Sequence, residues 1–155
     1  MQTRVLVVYD TKYGNTEEIA EAMGDAVLGK VFRVDDTKHL NLSRFDLIII
    51  GSPTWGGRPT KPIQEFMDRI PEDVVKSSLM AAFDTRMLNE RNGFFAKLLI
   101  KIFGYASYRI ANSLQKKGCH MASAPAGFIV TGYKGPLKDG EMVRAAKWAK
   151  SLIKE

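Results

Sequence analysis

The sequence has few of the residues that build disulfide frameworks or metal sites. Among its 155 residues there is one cysteine, Cys119, and there are two histidines, His39 and His120. A single cysteine excludes an internal disulfide and a thiolate metal cluster, and it suits a reducing compartment. The histidines are far apart in sequence, and neither has a partner at metal-ligand spacing. We therefore interpret each as a solvated or core-edge side chain.

The chain also lacks the segments that would direct it to or through a membrane. No apolar run reaches the length of a membrane span, and no basic stretch with an apolar run and a small-residue cleavage site precedes the first strand pattern. No linker, internal repeat or low-complexity tract divides it, and 45% of its residues are apolar. We expect one domain over residues 1–155, located in the cytoplasm.

Positive charge is concentrated in one segment. The formal net charge is +6, residues 86–120 contain seven Lys or Arg and one acidic residue, and the rest of the chain has 16 of each. Local basicity is one mark of nucleic-acid binding, but no groove of stacking aromatics or known motif accompanies it. We expect no nucleic-acid partner, and we expect the basic segment to favour acidic protein partners.

Five apolar runs rich in β-branched residues predict strands that are buried on both faces. They span residues 5–9, 31–34, 47–50, 79–83 and 128–130. The segments between them show helical spacing of apolar residues, so strands and helices alternate. This alternation implies right-handed crossovers and a three-layer α/β fold with a parallel sheet covered on both sides.

Four segments carry the helical spacing. Their apolar faces are Ile19, Met23, Ala26 and Val27; Ile63, Phe66, Met67 and Ile70; Ala106, Ile110 and Leu114; and Met142, Ala145, Ala146, Ala149, Leu152 and Ile153. Thr16, Thr60 and Asp139 are candidate N-caps, and Gly118 is placed to end the third helix.

Three loops leave strands at the edge of the sheet where ligands bind in such folds. They read TKYGNT (11–16), SPTWGGRPTKP (52–62) and DTRMLNERNG (84–93). The first offers hydroxyls, an amide and a glycine at the start of a helix, which predicts an anion site, although a plain turn is the alternative. It lacks the Walker and dinucleotide glycine patterns, so one terminal phosphate suits it best.

The second loop places Trp55 beside Gly56 and Gly57. A tryptophan on such a loop can stack on a planar ligand, and paired glycines let a backbone peptide approach that ligand closely. The alternative is a tryptophan that folds back over a helix end.

TKYGNT after the first strand together with GSPTWGG after the third resembles the flavodoxin family, and the likeness covers most of the chain. The resemblance implies a five-stranded parallel sheet of order 2-1-3-4-5 and an FMN cofactor. Its first loop would enclose the phosphate, its second would line the isoalloxazine with Trp55 stacked on it, and its third would add ring contacts. The implied cofactor-binding residues are Thr11, Lys12, Tyr13, Gly14, Asn15, Thr16, Ser52, Pro53, Thr54, Trp55, Gly56, Gly57, Phe83, Asp84, Thr85 and Arg86. In flavodoxins a peptide beside the second-loop aromatic turns its carbonyl toward the flavin N5 on reduction, which the paired glycines would permit.

Two features depart from the family pattern. The third loop has Arg86 and Met87 where a second aromatic is expected, and Tyr105 and Tyr108 are candidate replacements. The second feature is GFFAKLLIKIFG, residues 93–104, which predicts a basic amphipathic helix. Such a helix could cover the sheet, form a partner or homodimer surface, or contact a membrane surface.

The leading functional hypothesis is an FMN protein that carries electrons between redox partner proteins. An FMN-dependent oxidoreductase of the quinone-reductase or protoporphyrinogen-oxidase type is the alternative, and a flavin-free interaction module of the same fold is the third. No constellation of catalytic acid, base or nucleophile is evident in the sequence, which favours the carrier.

Overall fold

The computed structural model of the chain describes residues 2–87 and 105–153. Within them, six parallel strands form one sheet: β1 (Val5–Tyr9), β2 (Lys30–Arg33), β3 (Leu47–Pro53), β4 (Leu79–Met87), β5 (His120–Met121) and β6 (Ala126–Val130). The order β2-β1-β3-β4-β5 confirms the predicted topology. The predicted last strand, 128–130, lies within β6, whereas β5 was not predicted; β5 and β6 pair with successive parts of the same edge of β4.

Five α-helices connect the strands in the described residues: α1 (Asn15–Val27), α2 (Lys61–Asp68), α3 (Glu72–Ser77), α4 (Ala106–Lys117) and α5 (Glu141–Leu152). Two 3-10 turns lie between β2 and β3, at Val34–Asp36 and Leu42–Arg44. The helix α3 was not predicted, since six residues are too few to show a full apolar period. The predicted segment 93–104 lies outside the described residues.

The helix ends only partly follow the predicted caps. Gly118 ends α4 with a φ of 99°, as predicted. Gly14 and Gly140, in left-handed conformations, occupy the N-cap positions of α1 and α5, so the predicted N-caps Thr16 and Asp139 are wrong. Thr60 does occupy the N-cap of α2, but its hydroxyl makes no capping hydrogen bond.

The core has two parts, one on each face of the sheet. Along β1, Val5 and Val7 face α1 and α5, whereas Leu6 and Val8 face α2, α3 and α4, and all four are buried. This alternation follows from the two-residue period of a strand. Burial on both faces therefore confirms the three-layer prediction.

The apolar face of α5 differs from the prediction at its first turn. Glu141 points inward and accepts a hydrogen bond from the Ile129 N–H at 2.7 Å, so the next residue, Met142, is turned to solvent. The inward face continues through Ala145 and through Trp148, which packs on core aromatics. Met142 was wrongly assigned to this face because the sequence pattern does not show a buried glutamate at its start.

The topology positions a ligand site. In the sheet, β2 lies on one side of β1 and β3 lies on the other. The strand order therefore reverses between β1 and β3. Loops that leave parallel strands on either side of such a point enclose a crevice at the carboxyl edge.

Candidate functional site

A cleft of about 260 Å3 lies at this carboxyl edge, where the loops after β1, β3 and β6 meet the end of β4. Most of the residues predicted from the three loops line it. The structure brings together Thr11, Lys12, Tyr13, Asn15, Thr16, Pro53, Thr54, Trp55, Gly56, Thr85 and Arg86. The cleft therefore draws on loops from both sides of the point where the strand order reverses.

Five predicted residues do not line the cleft, namely Gly14, Ser52, Gly57, Phe83 and Asp84. Ser52, Phe83 and Asp84 are completely buried. They belong to strands β3 and β4, which extend further than their apolar runs; Phe83 packs in the core, whereas Ser52 and Asp84 are buried and hydrogen-bonded.

The first loop forms a tight turn into α1. Gly14 adopts a φ of 92°, and its N–H donates to the Thr11 hydroxyl at 2.9 Å. No side chain caps α1, so N–H groups of its first turn are available to a ligand. The Thr16 side chain is 1% exposed, and its hydroxyl lies 2.8 Å from that of Thr85. Backbone donors and hydroxyls thus converge at the positive end of the helix dipole.

The second loop is a hairpin-like turn. The Trp55 N–H donates to the Arg58 carbonyl at 3.1 Å, and the Arg58 N–H donates to the Trp55 carbonyl at 2.9 Å. Gly56 and Gly57 between them have φ values of 55° and 77°. A two-residue turn with both φ angles positive requires residues such as glycine. The turn holds Trp55 at the cleft.

Ser52 fixes the base of this second loop. Its hydroxyl donates to the Pro53 carbonyl at 2.9 Å and accepts from the Thr60 N–H at 3.0 Å. The loop is also tied to β4, because the Thr54 N–H donates to the Thr85 carbonyl at 3.0 Å. Ser52 thereby supports the cleft without lining it.

The end of β4, which was predicted as the start of the third loop, carries a buried ion pair. Asp84 receives two hydrogen bonds of 2.7 Å from Arg86 and one of 2.9 Å from the Ser107 N–H. The Arg86 guanidinium lies 3.4 Å from the ring centroid of Tyr105 and packs over the backbone of Gly127. Such a bidentate, stacked arginine is fixed in position at the cleft wall.

Phe83 is a core residue. Its ring lies over Gly51, where any side chain would collide with it, and it packs edge-on against Phe128 and Trp148. The close approach to Gly51 keeps Phe83 below the cleft.

Aromatic rings from three loops meet in the cleft. Tyr133, on the loop after β6, lies 5.3 Å from Trp55 and 5.6 Å from Tyr13 between ring centroids. Tyr105 and Tyr108, the aromatics considered from the sequence, do not line the cleft. Tyr133 was missed, as were Val130 and Gly132, which line the cleft beside it. The sequence feature that could have identified Tyr133 is an aromatic next to glycine after a predicted strand, in TGYKG.

Two comparisons with known proteins bear on this arrangement. Residues 6–101 match the family model of the flavodoxin domain. The chain belongs to the flavodoxin family. This flavodoxin-family chain is also 25% identical over 152 residues to an uncharacterized protein from Methanocaldococcus jannaschii, with 97% of this chain and 99% of that protein covered.

The fold of this flavodoxin-family chain is similar to those of solved flavodoxins. A flavodoxin from the domain Archaea matches with a TM-score of 0.70 at 21% identity, covering 97% of this chain and 96% of that one. The oxidised Flavodoxin 2 from Bacillus cereus matches with a TM-score of 0.70 at 17% identity, covering 96% of this chain and 97% of that one. At these identities the likeness establishes the fold.

The flavodoxin family implies a flavin cofactor, and the donor set of the cleft fits one. One end has uncapped helix amides and a buried hydroxyl pair, which suit a phosphate. The other end has Trp55, Tyr13 and Tyr133, which suit a flat ring. The two ends are joined in a single cleft.

The charge of the cleft is positive. Among the described residues that line it, Lys12 and Arg86 are cationic and none is acidic. Asp84 neutralises Arg86, so Lys12 supplies the net charge. The Lys12 Nζ lies 4.4 Å from the centroid of the Trp55 ring, within cation–π range.

Residues 2–87 and 105–153 contain no group of three or more His, Cys, Asp or Glu side chains that could hold a metal ion. Cys119 is buried, and burial raises the pKa of its thiol. In the same ranges, no helix is both long and apolar enough to span a bilayer.

Proposed function

We propose that this chain binds FMN in the cleft and carries electrons between redox partner proteins in the cytoplasm. The observation that carries the proposal is the union of an uncapped helix N-terminus and an aromatic surface in one cleft, at the point where the strand order reverses. FMN has one phosphate end and one flat end, which match these two parts.

The phosphate would be held at the start of α1. Amides of its first turn, the hydroxyls of Thr11 and Thr16 and the Asn15 amide are neutral donors, and Lys12 adds one cation. A single phosphate held mostly by neutral donors needs no second lysine, in contrast to a triphosphate site. Thr16 can accept from Thr85 and still donate its own proton to a phosphate oxygen.

The isoalloxazine would lie against Trp55. When bound, the flavin supplies one- and two-electron chemistry, and the protein orients it and sets its potentials. Gly56 and Gly57 allow the second loop to present either a carbonyl or an N–H to the ring, because neither residue has a side chain that opposes rotation of the peptide between them.

The charge distribution supports acidic redox partners. Lys12 is at the cleft, and Lys116 and Lys117 are exposed in the last turn of α4. An acidic partner would be attracted to Lys12 at the cleft, with an association rate that falls as salt rises, whereas Lys116 and Lys117 lie near the opposite, amino edge of the sheet, where β5 begins. The segment 93–104 remains a candidate surface for a partner, a second copy or a membrane.

One observation favours the alternative of an FMN-dependent oxidoreductase of the quinone-reductase or protoporphyrinogen-oxidase type. Arg86 lines the cleft, and among the described residues its Nη1 makes no hydrogen bond, while Nε and Nη2 are held by Asp84 and Ser107. A fixed guanidinium whose Nη1 makes no hydrogen bond within residues 2–87 and 105–153 can bind a carbonyl or carboxylate of a substrate.

A reconstitution experiment tests the proposal. The purified protein is titrated with FMN, and binding is followed by flavin absorbance and by quenching of flavin fluorescence. A carrier should then show a stable one-electron-reduced flavin during stepwise reduction and little steady turnover. Sustained oxidation of NAD(P)H, or of a porphyrinogen with a quinone acceptor, would favour the enzyme instead. A protein that cannot take up FMN would refute both.

A further inference from the structure

We propose that Tyr133 contacts the flavin ring directly and supplies the second aromatic contact that the third loop lacks. This inference rests on the proposed FMN site. It assigns a ring-binding role to the loop after β6, residues 131–136, which is named here the β6 loop.

Tyr133 has the position and the solvent exposure that a ligand-contacting residue requires. It lines the cleft, and 58% of it is open to solvent. Its ring meets Trp55 at an interplanar angle of 87° and Tyr13 at 57°. A large aromatic side chain that is half exposed, and whose ring pairs among the described residues are with other cleft aromatics, still has apolar surface to offer a planar ligand.

The β6 loop is held in a closed turn, so Tyr133 has a defined position. The Thr131 N–H and hydroxyl both donate to the Pro136 carbonyl at 2.8 Å. Inside this turn, the Gly135 N–H donates to the Gly132 carbonyl at 3.1 Å. An ordered aromatic loses less conformational freedom on binding than a flexible one, which favours affinity.

The turn is also attached to the phosphate end of the cleft. The Asn15 side-chain amide donates to the Lys134 carbonyl at 3.2 Å. Gly135, with a φ of 101°, packs so closely on the Asn15 amide that a side chain there would collide with it. Asn15 therefore sets the distance between the start of α1 and Tyr133, and we assign it a positioning role in addition to its place in the first loop.

The other described aromatics near the third loop are engaged elsewhere. Tyr105 lies under the Arg86 guanidinium, and Tyr108 is on the exposed side of α4, outside the cleft. Tyr13 extends from the first loop to the aromatic end of the cleft, but its ring centroid is 6.4 Å from that of Trp55, compared with 5.3 Å for Tyr133. Tyr133 is thus the better placed partner for Trp55 at the ring end.

The test compares four variants in titrations with FMN and with riboflavin, which has the ring but no phosphate. They are Tyr133→Ala, Tyr133→Leu, Tyr133→Phe and the matched control Tyr108→Ala, since Tyr108 is exposed to a similar degree (49%). Stacking on an aromatic side chain corresponds to roughly a 5- to 150-fold change in affinity. Tyr133→Ala should weaken both ligands by such a factor, with less quenching of flavin fluorescence in the bound state.

Tyr133→Phe should retain affinity because it retains the ring, and Tyr108→Ala should bind like the wild type. Tyr133→Leu keeps an apolar side chain and guards against misfolding of the alanine variant; it should lose quenching as well. Wild-type affinity for FMN in Tyr133→Ala and Tyr133→Leu would overturn the inference while leaving the FMN site intact. Weaker FMN binding with unchanged riboflavin binding would also overturn it, because the effect would then belong to the phosphate end. Failure of the wild type to bind FMN would overturn both this inference and the proposed function.

Discussion

Replacing Thr16 with valine tests whether the start of α1 holds the phosphate. The Thr16 hydroxyl is buried at the cleft and lies 2.8 Å from the hydroxyl of Thr85, which is itself 4% exposed. Valine has nearly the shape of threonine, so the substitution removes the hydroxyl and changes little else. Two effects should follow, one on FMN affinity and one on stability.

The expected changes in FMN affinity and in stability have different physical origins. A hydrogen bond to a charged group contributes about 1.5–3 kcal/mol, which corresponds to a roughly 10- to 150-fold rise in the dissociation constant for FMN. Riboflavin has no phosphate, so its affinity should change much less. Thr16→Val also leaves the Thr85 hydroxyl without its partner, which should lower the free energy of unfolding by about 1–3 kcal/mol.

The assay is a fluorescence titration with FMN and with riboflavin, together with urea unfolding of the flavin-free protein. Thr37→Val is a matched control, because the Thr37 hydroxyl is also buried and donates to the Val34 carbonyl at 2.6 Å, outside the cleft. It should lose stability but keep its FMN affinity. Unchanged FMN binding in Thr16→Val, or an equal loss for riboflavin, would refute a phosphate at this position.

Three further predictions concern acid stability, redox potential and charge. Hydrogen bonds from Arg144, and then the Ile129 N–H, hold the pKa of Glu141 below its usual value. The carboxylate therefore stabilises the fold above about pH 4.5, and this stability is lost as the pH falls through the lowered pKa. Glu141→Gln should lower the free energy of unfolding at pH 7 and flatten its decline in acid, as measured by urea unfolding; an unchanged slope would contradict this. Combined replacement of Gly56 and Gly57 by alanine should shift the one-electron potentials of bound FMN, measured by spectroelectrochemistry, and unchanged potentials would rule out a peptide turn there. It should also cost about 1–2 kcal/mol of stability per residue, since both φ angles are positive. Lys12→Gln should raise the FMN dissociation constant roughly two- to fivefold at low salt and less at high salt, whereas Lys147→Gln on the exposed side of α5 should have no effect.

The sequence predicted the architecture well because its strands are long, apolar and separated by helical periods. The runs of β1 and β3 are buried on both faces, and few alternatives to a covered parallel sheet exist for them. The elements that were missed are short. The two residues of β5 are defined only by pairing with Leu79 and Met80, and such pairing has no local signature.

The parts of the site that are formed within a single loop could be predicted from the sequence. Gly14, Gly56 and Gly57 lie in the two loops that were predicted to form the site, and all three adopt left-handed conformations that glycine allows. The assignments of Phe83 and Asp84 to the ligand depended on where β4 ends, and the strand extends to Met87 because β3 pairs with it as far as Thr85 and β6 as far as Met87. The position of Tyr133 at the cleft depends on tertiary contacts and could not be predicted from the sequence. Tyr133 lies 118 residues from Asn15 along the chain, and its loop is held against Asn15 in the fold.

The pairing of β6 with β4 has a consequence for how the cleft forms during protein synthesis. The cleft draws on residues 11–16 and on residues 130–133, which are far apart in sequence, and β6 pairs with β4 beside it. During synthesis the first loop and α1 leave the ribosome long before Tyr133 does. Such long-range closure forms late in folding, after loop-closure entropy has been overcome. A nascent chain that stops before β6 would therefore contain the start of α1 without the cleft residues that follow β6. Ligand binding should begin only after β6 and its loop have been synthesised.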